Sequence, residues 1–320
     1  MSVTATAAGA PTDAPPSQGS ALVMGHRRRE SRRALAFLAP AIVIVGAFVA
    51  FPILYAGYLS LFHWEGGSAR TFIGLDNYLT IATDGVFWHA LENNAWIAVT
   101  ALVTQIFLAL VIGYCLVRVI PRVKRAYMFC YMIPVVISEI CIGLLWSFIY
   151  NPAFGLLNGL LKAVGLESLR HGWLGDANTA FIAVLVVMSF TYLGLYVLLF
   201  VTAMQNVPED LYEAATLDGC GGVRMFFSIT LPSISDSIQS TTLLAVITSF
   251  KTFSLVWVLT GGGPNHATDV VSTLLYKTGF ITFDQGYAAT IGFTQMLLTA
   301  AAGFIVFRLL RRRSADAGSR

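Results

Sequence analysis

The sequence predicts an all-α fold, a polytopic integral membrane protein with six transmembrane helices, and three observations carry that expectation. Of 320 residues, 56% are hydrophobic and only 12% charged, about half the charged fraction of a soluble domain. Apolar runs approaching the roughly 20 helical residues needed to cross a bilayer core recur along the chain. Short basic clusters flank those runs, as in membrane proteins. A water-soluble globule is excluded because too little polar surface is available to cover it. Wholesale disorder is excluded because hydrophobicity is high and net charge only +3.

The first 25 or so residues are Ala, Thr, Pro, Ser and Gly without a hydrophobic period, so residues 1–33, which end in a basic cluster at Arg27 to Arg33, read as a disordered basic tail. The charge-free run 34–62 is far longer than the apolar core of a cleaved signal peptide and reads as a retained first span. Five further runs lie near 95–117, 126–150, 179–204, 232–260 and 285–307, with Glu139 interrupting the third and Lys251 the fifth. The spanning domain is expected over 34–311, followed by a short tail at 312–320. Six spans put both termini on one side. Fifteen of the twenty Lys and Arg residues fall in the tails and loops of that side, so both termini are expected to be cytoplasmic.

Motifs for chemistry are missing. The sequence has no GxxxxGK[ST], HExxH, GxSxG or CxxC, so nucleotide hydrolysis and metal- or serine-based catalysis have no visible site. Cys115, Cys130, Cys141 and Cys220 are scattered and suit small, reduced residues rather than a disulfide scaffold or zinc site. His26, His63, His89, His171 and His266 are dispersed and read as exposed imidazoles. No metal site and no cofactor are expected, and the basic clusters are placed for a membrane rather than for nucleic acid.

The loop between the fourth and fifth spans, about 205–232, has a distinct pattern: VPEDLYEAATLDG from Val207 to Gly219, then CGGVRMFFSITLP to Pro232. Pro208 suits a first helical turn, Glu209 and Asp210 oppose the positive end of the helix dipole, and Gly219 can adopt the left-handed conformation that stops a helix. Ala214 and Ala215 leave a smooth patch beside acidic side chains, which suits docking in a partner's groove; an ordinary loop helix fits the same chemistry.

The spacing of Glu213, Ala214, Ala215, Gly219, Ile229, Leu231 and Pro232 resembles the EAA loop of permease subunits in bacterial ATP-binding-cassette (ABC) importers. The resemblance extends through Phe72 to Tyr78 (FIGLDNY), Asn151-Pro152 with Gly155 to Asn158, Ser249 to Phe253 (SFKTF) and Leu259 to Pro264 (LTGGGP). These segments are similar to the first permease type of carbohydrate importers of the maltose and glycerol-3-phosphate kind. The resemblance implies a type I permease fold in the bacterial cytoplasmic membrane, a second related permease, two ATPase subunits that use ATP and magnesium, and an extracytoplasmic solute-binding protein. It further implies that Glu213, Ala214, Ala215 and Gly219 couple the spans to the ATPase. Cys220-Gly221-Gly222 is a softer run than the family shows after the glycine.

Charged groups at membrane depth are expensive, about 2.5–3.5 kcal/mol on insertion scales, and are candidates for a polar cavity. Glu139 and Lys251 are therefore candidate pathway residues. Helical spacing puts Glu139, Gly143, Trp146 and Tyr150 on one face, and Ser189, Tyr192 and Tyr196 on another. Such aromatic faces suit a sugar; their more ordinary role is helix packing, and Trp146, Tyr192 and Tyr196 stay open between the two. Lys251 is expected near mid-membrane if its span is continuous, lining a cavity, pairing with an acid such as Glu139, snorkelling, or facing the partner permease. Gly261 to Pro264 must be irregular backbone outside the hydrocarbon or against protein.

The solute implied by the resemblance is a sugar or oligosaccharide, with glycerol-3-phosphate or a glycerophosphodiester as the alternative. An ion-gradient carrier using Glu139 and Lys251 and an intramembrane enzyme using Glu139 as acid or base are the rivals from other classes; the EAA loop opposes the first and the lack of catalytic motifs the second.

Overall fold

The computed structural model describes residues 37–67 and 69–317, with side chains to residue 310. The chain divides into two units, Met1–Tyr55 and Ala56–Arg320. The expected tail 1–33 and the start of the first span lie outside the described residues. Helix α1, Phe37–Leu59, is 23 residues of uninterrupted apolar sequence. A two-residue antiparallel pair follows, β1 Phe62–His63 against β2 Thr71–Phe72, in the register Phe62 opposite Phe72.

Helix α2, Asp76–Thr83, leads into α3, Gly85–Val119, a continuous 35-residue helix with π-helical turns at Leu102–Leu108 and Cys115–Val119. It starts ten residues before the expected second span because Asp84 caps it, accepting from the amides of Val86 (2.9 Å) and Phe87 (3.3 Å). The other oxygen of Asp84 accepts from the Tyr287 hydroxyl at 2.6 Å.

The third expected span, 126–150, is not one helix. It comprises α4, Lys124–Val136, and α5, Glu139–Ile149, bent by 98°. Pro134 lies inside α4 and deprives the Cys130 carbonyl of its donor. The extended backbone of Ile137 and Ser138 then turns the chain, and Glu139 stands in the first turn of α5. Helix α6, Leu156–Ala163, precedes α7, Ala177–Gln205, which is capped by Asp176 through the Asn178 amide and matches the expected fourth span.

After α7 come α8, Glu209–Leu217, and α9, helical turns over 222–233. The fifth expected span is likewise broken, into α10, Ser235–Phe250, and α11, Ser254–Thr260, bent by 42°. Helix α12, over 271–281, and α13, Gln285–Ala317, complete the chain. Part of the expected C-terminal tail, through Ala317, continues α13. Among the described residues four helices are long and apolar enough to cross a membrane, or six spans if each bent pair counts as one.

Packing follows small residues, as it must where lipid supplies no hydrophobic drive between helices. At Gly194 of α7 a Cβ would collide with the backbone carbonyl of Tyr131 on α4, so these two helices meet backbone to backbone. One buried cluster joins α3 to α7 through Leu116, Val197 and Phe200. A second joins α5, α7 and α11 through Ile142, Val184, Val187, Leu255 and Val256. A third, around Phe87, Val271 and Ile291, joins α3, α12 and α13.

Candidate functional site

The break between α10 and α11 leaves the carbonyls of Ser249 and Phe250 without intrahelical donors. Side chains from two other helices take their place: Asn94 Nδ2 of α3 donates to the Ser249 carbonyl at 2.8 Å, and Gln295 Nε2 of α13 to the Phe250 carbonyl at 2.6 Å. Beside this fixed break lies a cavity of about 380 Å³, lined by Gln105, Glu139, Tyr192, Tyr196, Thr248 and Lys251 among others. Thr252, Phe253 and Ser254, the rest of the break, complete its wall.

The cavity brings together four of the five pathway candidates. Glu139, half-buried, accepts a hydrogen bond from the Tyr192 hydroxyl at 2.7 Å. Lys251 follows the last turn of α10 and stands between this cavity and a wider one of about 810 Å³ along α10 and α13. Of the alternatives for Lys251, the pair with Glu139 is not formed: the ion pairs among the described residues do not include Lys251, and the glutamate is held by Tyr192. Trp146 is also elsewhere. It packs against Tyr150 and Phe190, with ring centroids 5.2 and 5.5 Å away, on an apolar cavity of about 470 Å³ that includes Trp173.

A second polar assembly, not anticipated from the sequence, fixes the segment that follows α11. Asp269 is fully buried and accepts Lys277 Nζ on both carboxylate oxygens (2.9 Å each) and the Thr273 hydroxyl at 2.8 Å. His266 Nδ1 lies 2.6 Å from its other side. Asn93 of α3 donates to the carbonyls of Ala267 (3.1 Å) and Asp269 (2.8 Å), while Asn94 Oδ1 accepts from the Val271 amide at 2.9 Å. The glycine-rich run is thus a closed turn, with the Thr268 amide on the Gly262 carbonyl and the Thr268 hydroxyl on that of Gly263. The available signal was the Asn93-Asn94 pair at the head of the apolar run 95–117, since amides in a span need partners.

The loop helix α8 is a nine-residue element with defined ends. Pro208 immediately precedes its first turn rather than entering it, and Glu209 and Asp210 occupy that turn. At the other end Gly219 has φ +73°. The Cys220 amide bonds the Ala215 carbonyl (2.9 Å) and the Gly219 amide that of Thr216 (3.0 Å), the two bonds of a Schellman stop. The Cys220-Gly221-Gly222 run follows an extended path into α9, whose first turn closes by the Met225 amide on the Gly221 carbonyl.

One face of α8 is held. Tyr212 is buried, its hydroxyl 3.1 Å from Thr230 Oγ1. The Arg118 guanidinium, from the last turn of α3, lies 3.5 Å above the Tyr212 ring and donates through Nη1 to both Glu209 oxygens, at 2.8 and 3.0 Å. The other face is open: Glu213 and Ala214 are exposed, Ala215 half-exposed, and Leu217 89% exposed. A groove of about 730 Å³ runs beside it, bounded by Tyr114, Arg118, Glu209, Tyr212, Glu213 and Thr216.

Residues 105–315 match the family described as the binding-protein-dependent transport system inner membrane component. The chain is 39% identical over 277 residues to the probable ABC transporter permease protein YurN of Bacillus subtilis strain 168, covering 86% of this chain and 94% of that one. It is 33% identical over 288 residues to the diacetylchitobiose uptake system permease protein NgcF of Streptomyces coelicolor, covering 87% and 82%. Its fold superimposes with a TM-score of 0.78, at 19% identity and over 90% of this chain and 98% of the other, on a chain from the crystal structure of a bacterial ABC transporter involved in import of the acidic polysaccharide alginate. With its apolar helices and these relatives, the chain belongs to the inner membrane components of binding-protein-dependent transport systems, the permease subunits of ABC importers, which are transport subunits and not enzymes.

Proposed function

We propose that this permease crosses the membrane six times, with both termini cytoplasmic, and imports a carbohydrate as one half of a heterodimer with a second related permease. Two separate ATPase subunits bind ATP and magnesium, and an extracytoplasmic binding protein delivers the solute. Helix α8 is the coupling helix: Glu213, Ala214, Ala215 and Gly219 meet the ATPase. The observation that carries this is the open face of α8, a short helix between two spanning segments that leaves Leu217 almost wholly exposed beside a run of acidic and small residues. Nucleotide-driven closure of the ATPases would displace α8 as a rigid body and bias the spans between two arrangements.

The cavity at Glu139, Tyr192, Tyr196 and Lys251 is the solute path in this chain. Aromatic faces for apolar C–H surfaces, with hydroxyls and amides around them, suit a sugar. The diacetylchitobiose uptake system among its relatives supports the same class. One observation favours a second reading, a phosphate-bearing solute such as glycerol-3-phosphate: Lys251 lines the cavity and pairs with no acid among the described residues.

The test is purification of the tagged chain from its native membrane in mild detergent, with mass spectrometry of what accompanies it, alongside a Glu213→Lys variant. A second permease and an ATPase are expected with the wild type, and loss of ATPase capture or of coupled uptake with the variant. Normal capture together with normal uptake in Glu213→Lys would remove Glu213 from the coupling role. Reproducible recovery of the intact chain alone would favour an ion-gradient carrier.

A further inference from the structure

A nine-residue helix is too short to hold its shape unaided, so what anchors α8 decides which parts of the protein follow it. The chain ties α8 directly to α7 through residues 206–208 and to α9 through Cys220 and Gly221. A third tie comes from α3, which is remote in sequence. Glu209 and Tyr212 are one turn apart on the same face, and Arg118 engages both, by charge-assisted hydrogen bonds to one and by its guanidinium plane over the other. One turn earlier on α3, the Tyr114 hydroxyl donates to the Gly222 carbonyl at 2.8 Å and its ring meets Phe226 at 4.9 Å. The last two turns of α3 therefore grip the loop on both sides of the Schellman stop.

We propose that Arg118 is a positioning residue that locks α8 to the end of α3, so that any displacement of α8 carries α3 with it as well as α7; this rests on α8 being the coupling helix. The consequence lies at the far end of the lever. Helix α3 also supplies Gln105 to the cavity wall, Asn94 to the carbonyl freed at the α10–α11 break, and Asn93 to the segment tied by Asp269. A movement transmitted through Arg118 reaches the groups that shape the cavity directly, without passing through α7.

Magnitudes separate the two contacts. Glu209 is 64% exposed and the Arg118 side chain 21%, and an ion pair with so open a partner contributes little by itself. The stack on buried Tyr212 is the better shielded contact, and planarity makes Arg118 irreplaceable by a lysine there. Glu209→Gln is therefore expected to act weakly and Arg118→Ala strongly, with Arg118→Lys between them.

The experiment uses the complex of this chain with its second permease and ATPases in nanodiscs, with the native cysteines replaced and spin labels at Ile120 and Asp218. Electron–electron distances are measured without nucleotide and after trapping with ATP and vanadate. The wild type is expected to keep one narrow separation in both states. Arg118→Ala is expected to let the labels part on trapping, raising the separated population about tenfold, and Glu209→Gln to stay within about twofold of wild type, with ATPase capture retained in both. A wild-type separation that changes on trapping, or an Arg118→Ala complex whose labels stay together, would overturn the role of Arg118 and leave the coupling helix standing. A wild-type chain that captures no ATPase would overturn the coupling helix itself, and this proposal with it.

Discussion

Removing the carboxylate of Asp269 tests how the segment after α11 is held. Asp269 has no exposed side-chain surface, whereas the side chain of Lys277 is 25% exposed. Asp269→Ala leaves the Lys277 ammonium without its anion. The Thr273 hydroxyl keeps a second acceptor, the Val270 carbonyl at 2.8 Å, so the loss falls mainly on the ion pair and on His266. Breaking a buried pair costs about 3–5 kcal/mol, and the partial exposure of Lys277 puts this case near the lower end. About 3 kcal/mol corresponds to roughly a hundredfold faster opening of the turn amides at Ala267, Thr268 and Asp269, which bond within the segment. Hydrogen exchange read by mass spectrometry over residues 261–276 in nanodiscs is the assay. Lys277→Met and the double variant complete a cycle, whose coupling is expected above about 1 kcal/mol. Exchange in Asp269→Ala that matches wild type, or a coupling below about 0.5 kcal/mol, would refute the ion pair as the tie.

Gly194→Ala puts a methyl group against the Tyr131 carbonyl; α4 and α7 are expected to separate at a cost of about 1–3 kcal/mol, seen as a lower melting temperature in detergent. Lys251→Ala is expected to leave transport of a neutral sugar within about twofold, and to raise the KM for a phosphate-bearing solute about tenfold, as loss of a charge-assisted hydrogen bond does; uptake of both solutes in whole cells decides it.

Hydropathy located the apolar segments because the energetic demand of a bilayer is written into composition. It is blind to direction, however. The runs at 126–150 and 232–260 have the composition of single spans, and neither the 98° nor the 42° bend alters that count. Pro134 and the Ser138-Glu139 pair, a helix-starting sequence in mid-run, were the local trace of the first bend. Polarity is uninformative in the opposite sense at Asn93 and Asn94: they lie outside the expected second span, 95–117, yet both are buried inside α3. Their partners are backbone atoms more than 150 positions away in sequence, and local pattern holds no record of such partners. The stop of α8 was legible because a Schellman turn is short-range and needs a residue that tolerates positive φ at Gly219. Arg118, which acts on that helix from 91 residues earlier, gave no local signal beyond a cation closing a span.

Both bends lie near one place: Glu139, the first residue of α5 after one bend, lines the same cavity whose wall is the 251–254 break. Peptide groups outside a helix cannot face hydrocarbon at membrane depth, and persist only against protein or water. Two side-chain amides already cover the carbonyls of Ser249 and Phe250, whereas Ser138 gives the first amides of α5 no side-chain cap, so these need water or another protein surface. If that part of the protein is the solute path proposed above, its polar backbone means that a solute entering it exchanges one hydrogen-bonding shell for another rather than leaving water for oil.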